Sequence, residues 1–235
     1  MTDLIFVAQP SGVSWVHELP LQNQSVVDYH DHFYRSRLRA LQGVDELVDG
    51  LVTRLEESGQ LDNTYIIYTS DNGFHIGQHR LPPGKTCGFE EDIRVPLFIR
   101  GPGVTKGYVQ DAVSTHVDLA PTLFHLAGIP ARDDFDGTAI PVTPEFEGER
   151  HEHVTVEYWG SAVVEGAYSG IGKSRQYFHG LCERCDTNPL TGPGGSTMIP
   201  NNTYKSVRLL GEGYNLYYSV WCNNEHELYD LSVSK

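Results

Sequence analysis

The chain has 235 residues, 39% hydrophobic and 20% charged, and its 31 acidic against 17 basic residues give a formal net charge of −14. That length holds one large or two modest domains with a real core, and that composition excludes a mainly disordered chain. Acidity spread along the chain excludes a nucleic-acid backbone as the main partner, and an acidic protein that takes an anion must gather its few cations locally. No apolar run approaches the ~20 residues of a membrane span, so no membrane partner is expected. The opening MTDLIFVAQP carries Asp3 and no basic stretch, so it does not read as a signal peptide.

Residues 1–32 show no clear period. From Phe33 to Ser58 the apolar positions Leu38, Leu41, Val44, Val48, Leu51, Val52 and Leu55 follow helical spacing, and Gly59 is placed to end the helix. A turn at 61–63 leads to an apolar strand, Tyr65–Thr69. A long amphipathic helix feeding such a strand is an α/β unit, with the helix expected to pack on a largely buried sheet. A polar loop holding His75, His79, Arg80 and Lys85 follows, and Val95–Ile99 is a second strand. After the Gly-Pro-Gly turn at 101–103, residues 111–114 are expected as a short strand or extended segment and 115–128 as a helix closed by Gly128 and Pro130. Residues 131–150 are loop-rich, Val154–Trp159 alternates like a strand, and residues 180–200 form a Gly/Pro-rich loop. Residues 204–231 predict two or three antiparallel strands, the first pair joined at Gly211-Glu-Gly213.

The chemistry concentrates between Asp71 and Arg94. Asp71 and Asn72 offer oxygen ligands at a strand end, where a turn at Gly73 lets adjacent side chains reach one hard ion; the alternative is an Asx-turn closing the strand. Lys85 is a compact charge suited to a tetrahedral oxyanion, or a solvated loop lysine. His75 and His79 are spaced for a metal or acid/base site, or for a surface pair. Glu90 or Arg94 is expected to hold the loop by an ion pair, and Asp118, beside His116, to start a helix. Cys182 and Cys185 with Cys222 suit a disulfide, free thiols or a zinc site. Asn23-Gln-Ser25 and Asn201-Asn-Thr203 are glycosylation sequons, which matter only for a secreted chain, and the compartment stays open.

Thr69-Ser-Asp-Asn-Gly73, Gly77-Gln-His79, Gly84-Lys85, Phe89-Glu90, Ile93-Arg-Val-Pro-Leu97, Gly101-Pro-Gly103, Val117-Asp-Leu-Ala-Pro-Thr-Leu123, Ala127-Gly-Ile-Pro130 and Glu227-Leu-Tyr-Asp-Leu231 form an ordered set. In order and interval this set resembles the sulfatase family of the alkaline-phosphatase-like superfamily, nearest to fungal arylsulfatases, over roughly residues 30–235. The resemblance implies a partial alkaline-phosphatase-like mixed α/β sheet flanked by helices (residues 1–150) and a small antiparallel carboxyl-terminal subdomain (151–235). It implies calcium held by Asp71 and Asn72, Lys85 on the sulfate, and His75 and His79 lining the pocket of a small aryl or sugar sulfate ester.

The family's formylglycine arises from a Cys-x-Pro-x-Arg motif that none of Cys87, Cys182, Cys185 and Cys222 begins. The family's paired first-strand aspartates and upstream histidine are also missing. The chain is therefore expected to be a carboxyl-terminal portion of a sulfatase, weak in calcium binding and inactive alone. The alternatives are a phosphoester or phosphonate hydrolase of the same superfamily, or a catalytically dead remnant that only binds.

Overall fold

The computed structural model describes residues 12–17, 19, 21–143, 151–160, 162–163, 198–199 and 203–233. Its longest element is set by one cap. Asn23 adopts extended backbone angles and its side chain accepts the Val26 N–H at 3.1 Å, so a helix starts at the next residue. After a short turn of helix, α1 (Ser14–His17), this second helix, α2, runs Gln24–Glu57, nine residues earlier than the period suggested. Residues 24–32 are thus helical, not irregular, because the cap satisfies backbone donors that the apolar pattern alone does not reveal. The same cap occupies the asparagine of the first sequon.

Strands β1 (Ile66–Thr69) and β2 (Leu97–Arg100) pair antiparallel, with Ile66 opposite Arg100 and Thr69 opposite Leu97. Pairing begins after Pro96, which has no N–H to give a ladder. The expectation of a largely buried sheet under α2 is not met among the described residues. Phe98 is 65% exposed, and Leu47 and Leu51 on α2 are 71% and 47% exposed. The helix is amphipathic, but no described layer covers its apolar stripe.

A one-turn helix, α3 (Glu90–Ile93), precedes β2, and α4 (Leu119–Leu126) follows a tight turn at His116–Asp118. Asp118 starts this helix as expected: Thr115 and Asp118 form a reciprocal capping box, and Asp118 Oδ1 also accepts the Thr138 N–H at 2.9 Å. The segment 111–114 is not a strand, since only Val113 makes a bridge, to His151.

The carboxyl-terminal region supplies the main sheet. Strands β3 (His153–Tyr158), β6 (Tyr204–Gly211), β7 (Tyr214–Trp221) and β8 (His226–Asp230) pair antiparallel in that order, while β4 (Ala162–Val163) and β5 (Met198–Ile199) form a separate pair. Glu212-Gly213 closes the β6–β7 hairpin where the sequence placed a turn. Cys182, Cys185, Asn201 and most of the loop expected at 180–200 lie outside the described residues.

The inner face of this sheet shows the strand period of two. Tyr158, Tyr204 and Trp221 align in one cross-strand row, and Val156, Ser206, Ser219 and Glu227 in the next. Against that face pack Leu81, Cys87 and Phe89 from the polar loop and Val13, Val16 and Leu19 from the start of the chain, all in one buried cluster. A β-carbon on Gly88 would meet the Tyr217 hydroxyl at 2.5 Å and a Tyr204 ring carbon at 2.8 Å, so glycine permits this close docking. The core therefore lies between the chemistry-bearing loop and the carboxyl-terminal sheet, not beneath β1.

Glu227 anchors that core although it is a 5%-exposed carboxylate. It accepts from Val13 N–H (3.1 Å), Ser219 Oγ (3.0 Å), Trp221 Nε1 (2.9 Å) and Tyr229 OH (2.9 Å). Removing it strands buried donors, each worth ~1–3 kcal/mol when unsatisfied. Glu227→Ala is expected to lower the urea-unfolding free energy by about 3 kcal/mol or more. A loss below about 1 kcal/mol would show that the sheet does not depend on this carboxylate.

Candidate functional site

Asp71 and Asn72 follow directly from the carboxyl end of β1, the first exposed and the second half-buried. The Asn72 N–H donates to Asp71 Oδ1 at 2.9 Å and Ser70 Oγ donates to the Asn72 carbonyl at 2.9 Å, closing a local side-chain turn. Asn72 Nδ2 donates to the Gly73 carbonyl at 2.7 Å, which leaves Asn72 Oδ1 and Asp71 Oδ2 without a donor among the described residues. Two spare oxygens at one turn suit a hard cation, and the hydrogen bonds behind them fix their orientation. The exposed His116 supports this turn from the α4 entry, its Nε2–H donating to the Ser70 carbonyl at 2.8 Å. Sequence reasoning had seen His116 only as a neighbour of Asp118.

Segment 73–75 runs between the two flanks of the loop. The Gly73 N–H donates to the Asp92 carbonyl and the Phe74 N–H to the Glu91 carbonyl, both at 2.8 Å. A β-carbon on Gly73 would sit 1.9 Å from the Glu91 carbonyl oxygen, so this approach requires glycine. On the other flank, His75 exchanges both backbone hydrogen bonds with Gly84 (2.9 and 3.1 Å) in an antiparallel bridge. Lys85 follows directly after this bridged glycine. Lys85 is exposed, and the side-chain contacts of its loop, His75 with Asp92, His79 with Glu91 and Arg208 with Glu90, do not include it.

The two histidines part company. His75 is 4% exposed, with Nδ1 at 2.8 and 2.9 Å from the two Asp92 carboxylate oxygens, so Nδ1 carries the proton. His79 is half-buried, stacks on Phe89 with ring centroids 4.0 Å apart, and places Nε2 3.6 Å from Glu91 Oε2. Its hydrogen bond holds the Glu91 carboxyl below the ordinary carboxylate range. His79 and Arg80 both adopt left-handed angles (φ 54° and 62°), a costly conformation outside glycine that Phe89 stacking and the Arg80 Nη1 bond to the Leu19 carbonyl at 3.2 Å hold in place.

Glu90 does hold the loop by ion pairing, with a partner that local reading missed. Arg208 Nε on β6 donates to Glu90 Oε1 at 2.6 Å, whereas Arg94 Nη1 lies 3.6 Å from Glu90 Oε2. Asp92 was also missed as a functional residue; its one signal was a place in the Glu90-Glu91-Asp92 run. His75, Cys87 and Asp92 each offer a ligand atom within 4.8 Å of the others, all buried. Such a set suits zinc better than calcium. The Asp92 carboxylate is already engaged, however, by His75 Nδ1 and by the Cys87 N–H, which donates to Asp92 Oδ2 at 2.8 Å. Burial, and then the Asp92 charge, push the Cys87 thiol well above its ordinary pKa, which keeps it a protonated and poor ligand.

A family model described as Sulfatase matches residues 9–129, about half of the chain. The chain belongs to the sulfatase family. It is 40% identical over 224 residues to the sulfatase ppz1 of Metarhizium majus, covering 95% of this chain and 42% of that protein. It is likewise 40% identical over 230 residues to an arylsulfatase of Chlamydomonas reinhardtii, covering 93% of this chain and 32% of that one. Among solved structures, one described as a complex with its substrate D-glucosamine-2-N,6-O-disulfate aligns with a TM-score of 0.64 at 25% identity, covering 90% of this chain and 37% of that chain. This sulfatase-family chain thus spans about two fifths or less of the length of these relatives. The partial alkaline-phosphatase-like fold expected from its sequence agrees with these matches.

Behind the site, His30 on α2 is 6% exposed, packs on Gly77, and has no hydrogen-bond partner for either ring nitrogen among the described residues. Burial lowers its pKa below 6.5, partly offset by the neighbouring Asp31 charge. The unfolded chain therefore takes up this proton first as pH falls. Stability contributed by neutral His30 is complete above pH 6.5, and it declines below that until the folded-state pKa is passed. Melting temperatures recorded from about pH 7.5 down to 5.5 should fall less steeply for His30→Leu than for the unaltered chain, whereas parallel curves would contradict this assignment.

Proposed function

We propose that this chain provides one wall of a calcium-dependent sulfuric ester hydrolase site, with Asp71 and Asn72 as metal ligands and Lys85 as the sulfate contact. The observation that supports this reading is the antiparallel bridge of His75 with Gly84, which ties the loop of the exposed Lys85 to the segment that follows the spare oxygens of Asp71 and Asn72, within a chain of the sulfatase family. A calcium ion there would polarise the bound sulfate group. Asp71 Oδ2 and Asn72 Oδ1 would hold it through two of the six to eight oxygens that calcium normally gathers. The Lys85 ammonium would draw the anionic ester and stabilise negative charge growing on the bridging oxygen as its bond to sulfur breaks. His79, half-buried beside Lys85's loop, would border the pocket. The substrate class is a small aryl or amino-sugar sulfate ester, in keeping with the relatives' descriptions.

The 235 residues contain no Cys-x-Pro-x-Arg, so the chain by itself is proposed to lack the nucleophile and not to turn over. With 4-nitrophenyl sulfate and calcium it should give no hydrolysis above the buffer blank; robust turnover would refute the half-site reading. Calorimetric titration with calcium should give a dissociation constant no tighter than about 1 mM, and Asp71→Ala should abolish what heat there is. A micromolar constant would mean that other residues complete the site, and one indifferent to Asp71→Ala would remove Asp71 from it.

A further inference from the structure

We propose that His75 and Asp92 form a buried positioning couple for Lys85, holding both flanks of its loop so that the ammonium meets an incoming sulfate. The inference rests on the reading of Lys85 as the sulfate contact and adds the device that places it.

Lys85 and Thr86 form the tip of a loop with no regular secondary structure, so its shape is set by hydrogen bonds at the flanks. The preceding residue, Gly84, is held by both backbone hydrogen bonds of His75. Two residues after Lys85, the Cys87 N–H donates to Asp92 Oδ2 at 2.8 Å. The flanks are joined through the side chains, since His75 Nδ1 lies 2.8 Å from Asp92 Oδ1. Asp92 is tied to the metal-ligand turn in addition, its carbonyl accepting the Gly73 N–H at 2.8 Å. A single imidazole–carboxylate contact thus couples the lysine loop to the turn of Asp71 and Asn72.

Burial makes that contact stiff. His75, Cys87 and Asp92 are each 4% exposed, and Pro82, Pro83 and Gly84 are buried beside them, while Lys85 alone projects to solvent. Water cannot replace a lost partner, so the couple is closed or the loop rearranges. A lysine carries about 2 kcal/mol of side-chain entropy; fixing the backbone beneath it narrows the volume that its ammonium samples. Neither His75 nor Asp92 touches substrate in this scheme, so both are positioning residues.

The full chain has five lysines, Lys85, Lys106, Lys173, Lys205 and Lys235, few enough for each to be followed after 13C-dimethylation. The Lys85 methyl signal, assigned by its loss in Lys85→Arg, is titrated with sodium sulfate against sodium chloride of equal ionic strength. In the unaltered chain it should shift saturably. In His75→Ala the sulfate dissociation constant should rise about tenfold, while the Lys205 signal, paired with Glu157 at 3.3 Å, keeps its position as a fold monitor. His75→Asn, which retains a donor near the Nδ1 position, should restore most of the affinity. An unchanged Lys85 titration in a folded His75→Ala chain overturns the positioning couple and leaves the sulfatase reading standing. Absence of any saturable Lys85 shift in the unaltered chain overturns the sulfate assignment and the couple with it. Should His75→Ala fail to fold, Asp92→Asn decides: loss of the charged acceptor should weaken sulfate binding about threefold, and an unchanged constant overturns the couple.

Discussion

The Asp92 carboxylate is the point on which this structure turns. It receives the His75 imidazole and the Cys87 backbone, while its own carbonyl receives Gly73, so three stretches of an otherwise irregular loop meet on one residue. A buried carboxylate is tolerable only with its lone pairs satisfied, and here they are satisfied by the very segments that carry the site. Loss of that carboxylate would strand the His75 imidazole and the Cys87 N–H on the two flanks of the Lys85 loop, leaving only backbone bonds to hold them.

What holds the loop as a whole is its docking on the carboxyl-terminal sheet. Phe89 packs among Tyr217, Trp221 and Tyr229, with ring centroids 6.2, 6.4 and 6.5 Å away, and Arg208 reaches across from β6 to Glu90. A buried phenylalanine contributes roughly 2–3 kcal/mol of transfer free energy, while the largely buried Arg208–Glu90 pair, whose desolvation offsets its attraction, adds mainly direction. The small sheet therefore acts as the bed of the candidate site. Its own integrity runs through Glu227, which joins β8 to the opening segment of the chain across 214 residues of sequence.

Much of this was legible in advance where the controlling interaction is local. The apolar period of α2, Asp118 at the start of a helix, and the hairpin turn at Glu212-Gly213 depend on residues only a few positions apart. The early start of α2 was missed because a single cap residue, Asn23, outweighs the lack of a visible period before Phe33. At 111–114 the strand alternative fails because a strand needs a neighbour, and among the described residues Val113 alone finds one.

The sequence by itself determined the element types, the family and the stretch from Asp71 to Arg94 as the place where chemistry gathers, because spacing, turn residues and motifs are written in neighbouring positions. Tertiary structure alone decided which of those residues face solvent. It buried His75 against an aspartate 17 residues away, left Lys85 exposed, and gave Glu90 its closest partner 118 residues downstream. It also set the core against the carboxyl-terminal sheet and, among the described residues, left much of the apolar stripe of α2 exposed. Burial depends on which distant segments arrive to exclude water, and no local pattern encodes that arrival.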